Sequence, residues 1–222
     1  MNYSLIKDIL DLLEKFESEV NILDDSNNTI EEFKRWVAMS YNSEYVHNEP
    51  NWEGKEKGRS PESVINTLIV HMNRYAKNYS KAAIWDSDFS SQEDFIYLIT
   101  LKAFGEMSKM DLIKKNVHEK PAGMQIINRL IDKEWVNQID SQKDKRSKIL
   151  KINKKGLESL ELQMDKIRKA TEIVTGDLTY NEKMELIKLL NKLNDFHIKI
   201  YDKNIDPEHL LEEAYNDKKI EN

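Results

Sequence analysis

The 222-residue sequence contains no cysteine, which removes disulfides, thiolate metal sites, iron–sulfur clusters and cysteine redox sensing from its chemistry. Glycine and proline are also scarce, at 6 and 4 residues beside 33% charged residues, a balance that favours a predominantly helical chain. No apolar run reaches the roughly 20 residues needed to span a bilayer, and the opening residues place Lys7, Asp8 and Asp11 inside what a signal peptide would keep apolar. The chain is therefore expected to be cytoplasmic, with no membrane partner. It carries no phosphate-binding glycine loop, no nucleophile elbow and no paired-carboxylate signature, so an enzyme is not expected. The five histidines, His47, His71, His118, His197 and His209, are scattered without the close helical spacing of a metal pair. Neither a metal nor a cofactor is expected.

What is present is an uneven distribution of charge. The formal net charge of −6 hides a basic island: residues 102–155 hold 14 basic and 7 acidic side chains, net +7. Residues 1–60 carry net −6, residues 61–101 net −2 and residues 156–222 net −5. Such an island attracts a polyanion to one face and repels it from the others.

Apolar periodicity organises the chain. Leu5, Ile9, Leu12 and Phe16 recur at helical steps and predict an amphipathic first helix, and Thr29 with Glu32 has the pattern of a capping box for a short second one through Phe33, Trp36 and Val37. The polar stretch from His47 to Arg59 reads as a linker. Ser60-Pro61 opens a long helix with its apolar stripe at Ile65, Leu68, Ile69, Met72, Tyr75 and Tyr79. Ser90-Ser91-Gln92-Glu93 starts another that ends at Gly105. Ser108 with Asp111 begins a short helix, and Pro121 suits the first turn of the next, which continues to about Glu134. Trp135–Ile139 and Ile149–Ile152 flank a polar stretch and predict a β-hairpin. Beyond Gly156, Leu157, Leu160, Met164 and Ile167 form a helix-packing seam, Thr179 with Glu182 caps a further helix through Leu186, Leu190 and Leu193, and Asp206-Pro207 starts a short terminal one.

A helix, a short helix from Ser108, a helix from Pro121 and then a basic hairpin is the order of a winged helix-turn-helix. Projected at 100° per residue, Gly123, Ile126, Ile127, Leu130 and Ile131 share one side of the Pro121 helix. Ala122, Gln125, Arg129 and Lys133 share the other, flanked by Pro121 and Asn128. The outer side therefore offers amide and guanidinium groups, which pair bidentately with adenine and guanine edges. From Lys143 to Lys155 there are seven bases and one acid, a density suited to phosphate contact; a lysine-rich, aggregation-resistant strand edge has the same composition.

The run from Glu119 to Lys133, with Asp144-Lys145-Arg146-Ser147-Lys148 and then Leu150, Ile152, Lys155 and Gly156, resembles the recognition helix and wing of the MarR family of bacterial winged-helix regulators. The resemblance spans about residues 61–203. It implies a mainly α fold in which a winged-helix DNA-binding lobe, about residues 90–155, is joined to dimerisation helices at about 60–85 and 156–203. Residues 1–59 form an N-terminal helical extension and linker without counterpart, and 204–222 a short C-terminal helix and tail. The resemblance implies a homodimer binding double-stranded, palindromic DNA as a repressor that answers to a small aromatic or anionic effector.

The expected DNA face comprises Ser108, Lys109, Pro121, Ala122, Gln125, Asn128, Arg129, Lys133, Lys143, Asp144, Lys145, Arg146 and Lys148, with Arg146 entering the minor groove and Asp144 orienting the wing. Tyr75, Tyr79, Trp85 and Phe89 are the expected effector residues, although aromatics at such spacing also fill ordinary cores. Glu134 stands where the family often has glycine. The competing reading is a protein-interaction module that keeps the winged-helix fold without sequence-specific DNA binding.

Overall fold

The computed structural model describes residues 3–19, 29–46, 50–140 and 148–220, with the side chains of 29, 39–46 and 220 left aside. Two compact units divide between Ile65 and Asn66, inside the long helix expected to open at residue 60.

In the first unit, α1 (Tyr3–Glu19) and α2 (Thr29–Val46) are both helical, and α2 runs further than its apolar pattern implies. Phe16 is buried against the rings of Phe33 and Trp36, at centroid distances of 5.3 and 5.5 Å. Trp36 also donates its indole N–H to Glu19 at 3.0 Å. The Thr29 side chain, half of the expected capping box, lies outside the described residues. Within the expected linker, Lys55–Lys57 form a 3₁₀ turn between Gly54 and Gly58, closed by Trp52 donating to the Arg59 carbonyl at 2.9 Å.

The second unit is mainly helical. After α3 (Pro61–Ala83) come α4 (Gln92–Phe104), α5 (Lys109–Lys115), α6 (Lys120–Asp132), α7 (Lys154–Val174), α8 (Tyr180–Asp202) and α9 (Pro207–Ile220). The expected hairpin is present as β2 (Val136–Asp140) and β3 (Lys148–Ile152), antiparallel with Val136 opposite Ile152 and Asp140 opposite Lys148. A strand that periodicity did not disclose, β1 (Met107–Ser108), pairs with β3 to give the order β1-β3-β2. Two residues are too few to show an alternation, so only the ladder reveals it.

The core of this unit is drawn from each element of the lobe. Tyr97, Leu98 and Leu101 of α4, Leu112 and Ile113 of α5, Ile127 and Leu130 of α6, Trp135, Leu150 of β3 and Leu160 of α7 are all buried. At roughly 1.5–3 kcal/mol for each large apolar side chain removed from water, this cluster dominates the stability of the lobe. Two glycines permit the closest approaches. A Cβ on Gly123 would stand 2.4 Å from Ile113 Cγ1, and one on Gly156 would stand 2.3 Å from the Trp135 carbonyl oxygen. α6 can therefore lie directly on α5, and α7 can leave the hairpin against the backbone of residue 135. The capping box at Thr179 and Glu182 forms as its spacing predicts, with the Thr179 N–H and hydroxyl both donating to Glu182 at 2.7 Å.

Candidate nucleic-acid interface

The putting-together of the site begins at Ser108, which ends β1 and caps α5: its hydroxyl accepts from the Asp111 N–H at 3.1 Å and donates to the Asp111 carboxylate at 2.7 Å. Burial of Leu112 and Ile113 then fixes the inner face of α5. The chain reverses at Asn116, Val117 and His118, with Val117 in the left-handed region at φ 52°. Three elements hold this turn. Asn116 donates its side-chain amide to the Leu112 carbonyl at 2.8 Å, Tyr97 of α4 lies 3.0 Å from His118 Nδ1, and Tyr201 of α8 donates to the His118 carbonyl at 2.7 Å. Burial, reinforced by the nearby Glu93 charge, pushes the Tyr97 phenol well above its usual range, so it remains protonated and can donate to His118. An ion pair of 3.7 Å between Lys114 and Asp202 adds a second link from α8 to α5.

α6 follows with Pro121 in its first turn, where the missing N–H costs no helical bond. Gly123, Ile126, Ile127 and Leu130 are buried, while Pro121, Ala122, Gln125 and Asn128 are exposed, as the helical projection requires. Ser108 and Lys109 are half-buried at the start of α5. In the hairpin, Lys148 is exposed and paired with Asp140, and Lys151 lies 3.4 Å from Glu106. Lys143, Asp144, Lys145 and Arg146 fall outside the described residues.

Arg129 differs from its expected role as a base reader. Its Nε donates to the wholly buried Asp94 carboxylate at 2.7 Å, its Nη2 also bonds to Asp94, and Nη2 donates to Ser91 at 3.1 Å. Asp94 in turn accepts from the Ser90 N–H at 2.8 Å, so Arg129 ties α6 to the start of α4. A buried carboxylate needs such partners, and meeting that need engages the guanidinium within the lobe. Lys133 is likewise engaged: its ammonium donates to the Asp88 carbonyl at 2.5 Å and lies 5.0 Å from the Trp135 ring centre. Helical projection assigns residues to a face but is blind to partners on another element. The signal in the sequence was Asp94 itself, an acid among the apolar residues of α4.

The exit from α6 also has a distinctive backbone. Glu134 adopts φ 58°, the left-handed conformation that glycine takes most easily, and its carboxylate accepts from Lys155 at 2.7 Å. That bond holds the Glu134 carboxyl below its usual range. Asn153 donates to the Glu134 carbonyl at 2.8 Å and caps α7 by accepting from the Gly156 N–H at 3.0 Å.

Beside the end of α6 lies a cavity of about 460 Å³, lined by Trp85, Asp86, Ser87, Asp88 and Phe89 of the α3–α4 connection, by Trp135, and by Ser159, Leu162 and Gln163 of α7. It brings together Trp85 and Phe89 of the four expected effector residues, and adds Trp135, whose ring is 4.8 Å from that of Phe89. Tyr75 and Tyr79 lie further back on α3 and do not line it.

No protein-family model and no characterised protein matches the chain at the sequence level. Solved structures do match. The Bordetella bronchiseptica regulator BpsR, whose DNA binding is regulated by 6-hydroxynicotinic acid, is 18% identical with a TM-score of 0.56 over 66% of this chain and 99% of its own. A MarR variant from E. coli complexed with operator DNA is 22% identical, with a TM-score of 0.54 over 58% and 92%. The organohalide-sensing regulator RdhR in its 2,4-dichlorophenol-bound form is 18% identical, with a TM-score of 0.57 over 68% and 88%. The chain thus has the winged-helix fold of the MarR-type transcriptional regulators.

Proposed function

We propose that this chain is a sequence-specific, double-stranded-DNA-binding transcriptional regulator that acts as a homodimer on a palindromic operator, as a repressor released by a small effector. The observation that carries the reading is the exposed run Pro121, Ala122, Gln125 and Asn128 on a helix whose other face is locked into the core, next to a hairpin in the basic part of the chain. A rigidly held helix is what base reading requires, because an amide must meet adenine N6 and N7 together. Gln125 and Asn128 are the base readers in this proposal. Lys109, Lys148 and the wing bases from Lys143 to Arg146 supply phosphate and minor-groove contacts. Arg129 and Lys133 serve by holding α6 in place.

The dimer is supported by α8. Leu186, Leu189, Leu190 and Leu193 are each between 41% and 51% exposed in the single chain, an apolar strip that a second copy would cover. Two-fold symmetry of the protein then calls for two half-sites about one helical turn apart. An effector in the cavity beside Trp135 would act through its differential affinity for the DNA-competent state.

The deciding experiment is selection of bound duplexes from a random library by the purified full chain. A palindromic motif supports the reading. Enrichment of no sequence, with binding governed by salt alone, would transfer the fold to the protein-interaction class.

A further inference from the structure

The cavity beside Trp135 has walls and a rim of different character. Phe89 and Trp135 are buried aromatics, while Trp85 is 75% exposed and stands at the mouth. Asp86 and Asp88 are the charged groups of the lining, and neither carboxylate has a basic side chain paired with it among the described residues. Gln163 Oε1 is buried without a hydrogen-bond donor. A buried acceptor in that condition favours an incoming N–H or O–H, because the alternative is a desolvated oxygen with no partner. Lys133 reaches over Trp135 and bonds to the Asp88 carbonyl.

From this arrangement we infer that the cavity takes a planar aromatic ligand bearing a positive charge and N–H donors, in preference to an anionic effector, one of the two classes that the family resemblance implies. The aromatic walls supply stacking and cation–π attraction, the two carboxylates supply Coulomb attraction, and Gln163 Oε1 accepts the ligand's N–H. An aromatic carboxylate meets two like charges, and the unpartnered Gln163 Oε1 can give it no hydrogen bond. Because Lys133 lies over the ring of Trp135 without lining the cavity, a cationic ligand on that ring shares it with a like charge and weakens its hold. Loss of the Lys133 contact would loosen the end of α6 from the α3–α4 connection, which gives the ligand a route to the recognition helix. This last step rests on the DNA-binding reading; the ligand preference does not.

Three probes of nearly equal shape test the preference: benzamidine, benzamide and benzoate, titrated by calorimetry and by tryptophan fluorescence into the full chain without DNA. Benzamidine is expected to bind saturably, about tenfold more tightly than benzamide, with benzoate weakest. Asp86→Asn with Asp88→Asn should reduce the benzamidine advantage over benzamide to about threefold or less, Gln163→Leu should weaken both donors alike, and Lys133→Ala should tighten benzamidine several-fold by removing that like charge. Benzoate binding as tightly as benzamidine, no saturable binding by any probe, or an advantage unchanged in the double variant would each overturn the inference. Sequence selection by the same protein is read separately, so its failure sinks the DNA-binding reading and leaves this one standing.

Discussion

The lobe from α4 to β3 and the helix α8 use their apolar side chains in opposite ways. In the lobe, ten large side chains from α4, α5, α6, β3, α7 and the residue before β2 close on one another, and buried Asp94 finds its partners in the same chain. Along α8, Ile200 alone is buried, and Leu186, Ile187, Leu189, Leu190 and Leu193 face outward. The first arrangement is complete within one molecule, so its stability is a property of the chain. The second leaves its apolar face open in the single chain, and in the proposed homodimer its stability would depend on protein concentration. Where the two meet, at the end of α8, Tyr201 holds the α5–α6 turn and Asp202 pairs with Lys114 of α5. Whatever covers α8 is therefore linked mechanically to the start of α6.

The sharpest way to break this contrast is Leu190→Glu. If the proposed homodimer forms through α8, this change should convert it to monomer, because each of two symmetric sites loses a Leu contact and gains a desolvated charge, on the order of 5 kcal/mol in total. Sedimentation measures the assembly and circular dichroism the lobe. A folded dimer of unchanged strength would place the interface on another surface.

Next in size is Arg129→Ala, which leaves the buried Asp94 carboxylate without its cation and should cost about 3 kcal/mol in denaturant unfolding. A base reader would show no such loss. If unfolding is unchanged while one operator position loses its preference, Arg129 reads DNA after all. Gly156→Ala should follow at about 1–3 kcal/mol, since its Cβ would press on the Trp135 carbonyl, which moves only with the backbone.

Gln125→Ala is the converse case. As an exposed residue on α6 it should leave thermal stability alone while reducing discrimination at one base pair of each half-site by about 1–3 kcal/mol. The measurement is binding to single-base operator variants at fixed salt. Uniform weakening across all variants would assign Gln125 to the phosphates.

These cases also show what the sequence disclosed and what it withheld. Element order, the hairpin, the caps at Ser108 and Thr179 and the inner face of α6 were legible because each depends on residues within a turn or two of one another. The employment of Arg129 was not, since Asp94 lies 35 residues earlier on a different helix. Trp135 is a similar case. Its hydrophobic run marked it as the start of a strand, yet its place in the cavity depends on Phe89 and α7, which only folding brings near. Tyr75 and Tyr79 show the reverse: the family resemblance grouped them with Trp85 and Phe89, and the end of α3 at Ala83 leaves them off the lining of the cavity.

The smallest effect lies at Glu134, where a non-glycine residue takes φ 58° and its side chain is tied to Lys155. Glu134→Gly relaxes the backbone and removes the ion pair, two changes of opposite sign. They separate with pH. The Glu134 carboxyl titrates below its usual range in the folded chain because of the hydrogen bond and charge of Lys155, so the contact stabilises the fold above the unfolded carboxyl pKa and its contribution is lost as pH falls through the lowered folded value. The backbone strain does not titrate. Relative to the wild type, Glu134→Gly should therefore gain in melting temperature as pH falls from about 5 to about 3, from the unfolded carboxyl pKa of about 4.3 downward through the lowered folded one. The other carboxylates are common to both proteins and cancel in the difference. A gap that stays constant across that range would show that Lys155 contributes nothing at this turn, and a variant no more stable than the wild type at the acid end, where the ion pair is lost, would mean that the left-handed conformation at residue 134 carries no strain to relieve.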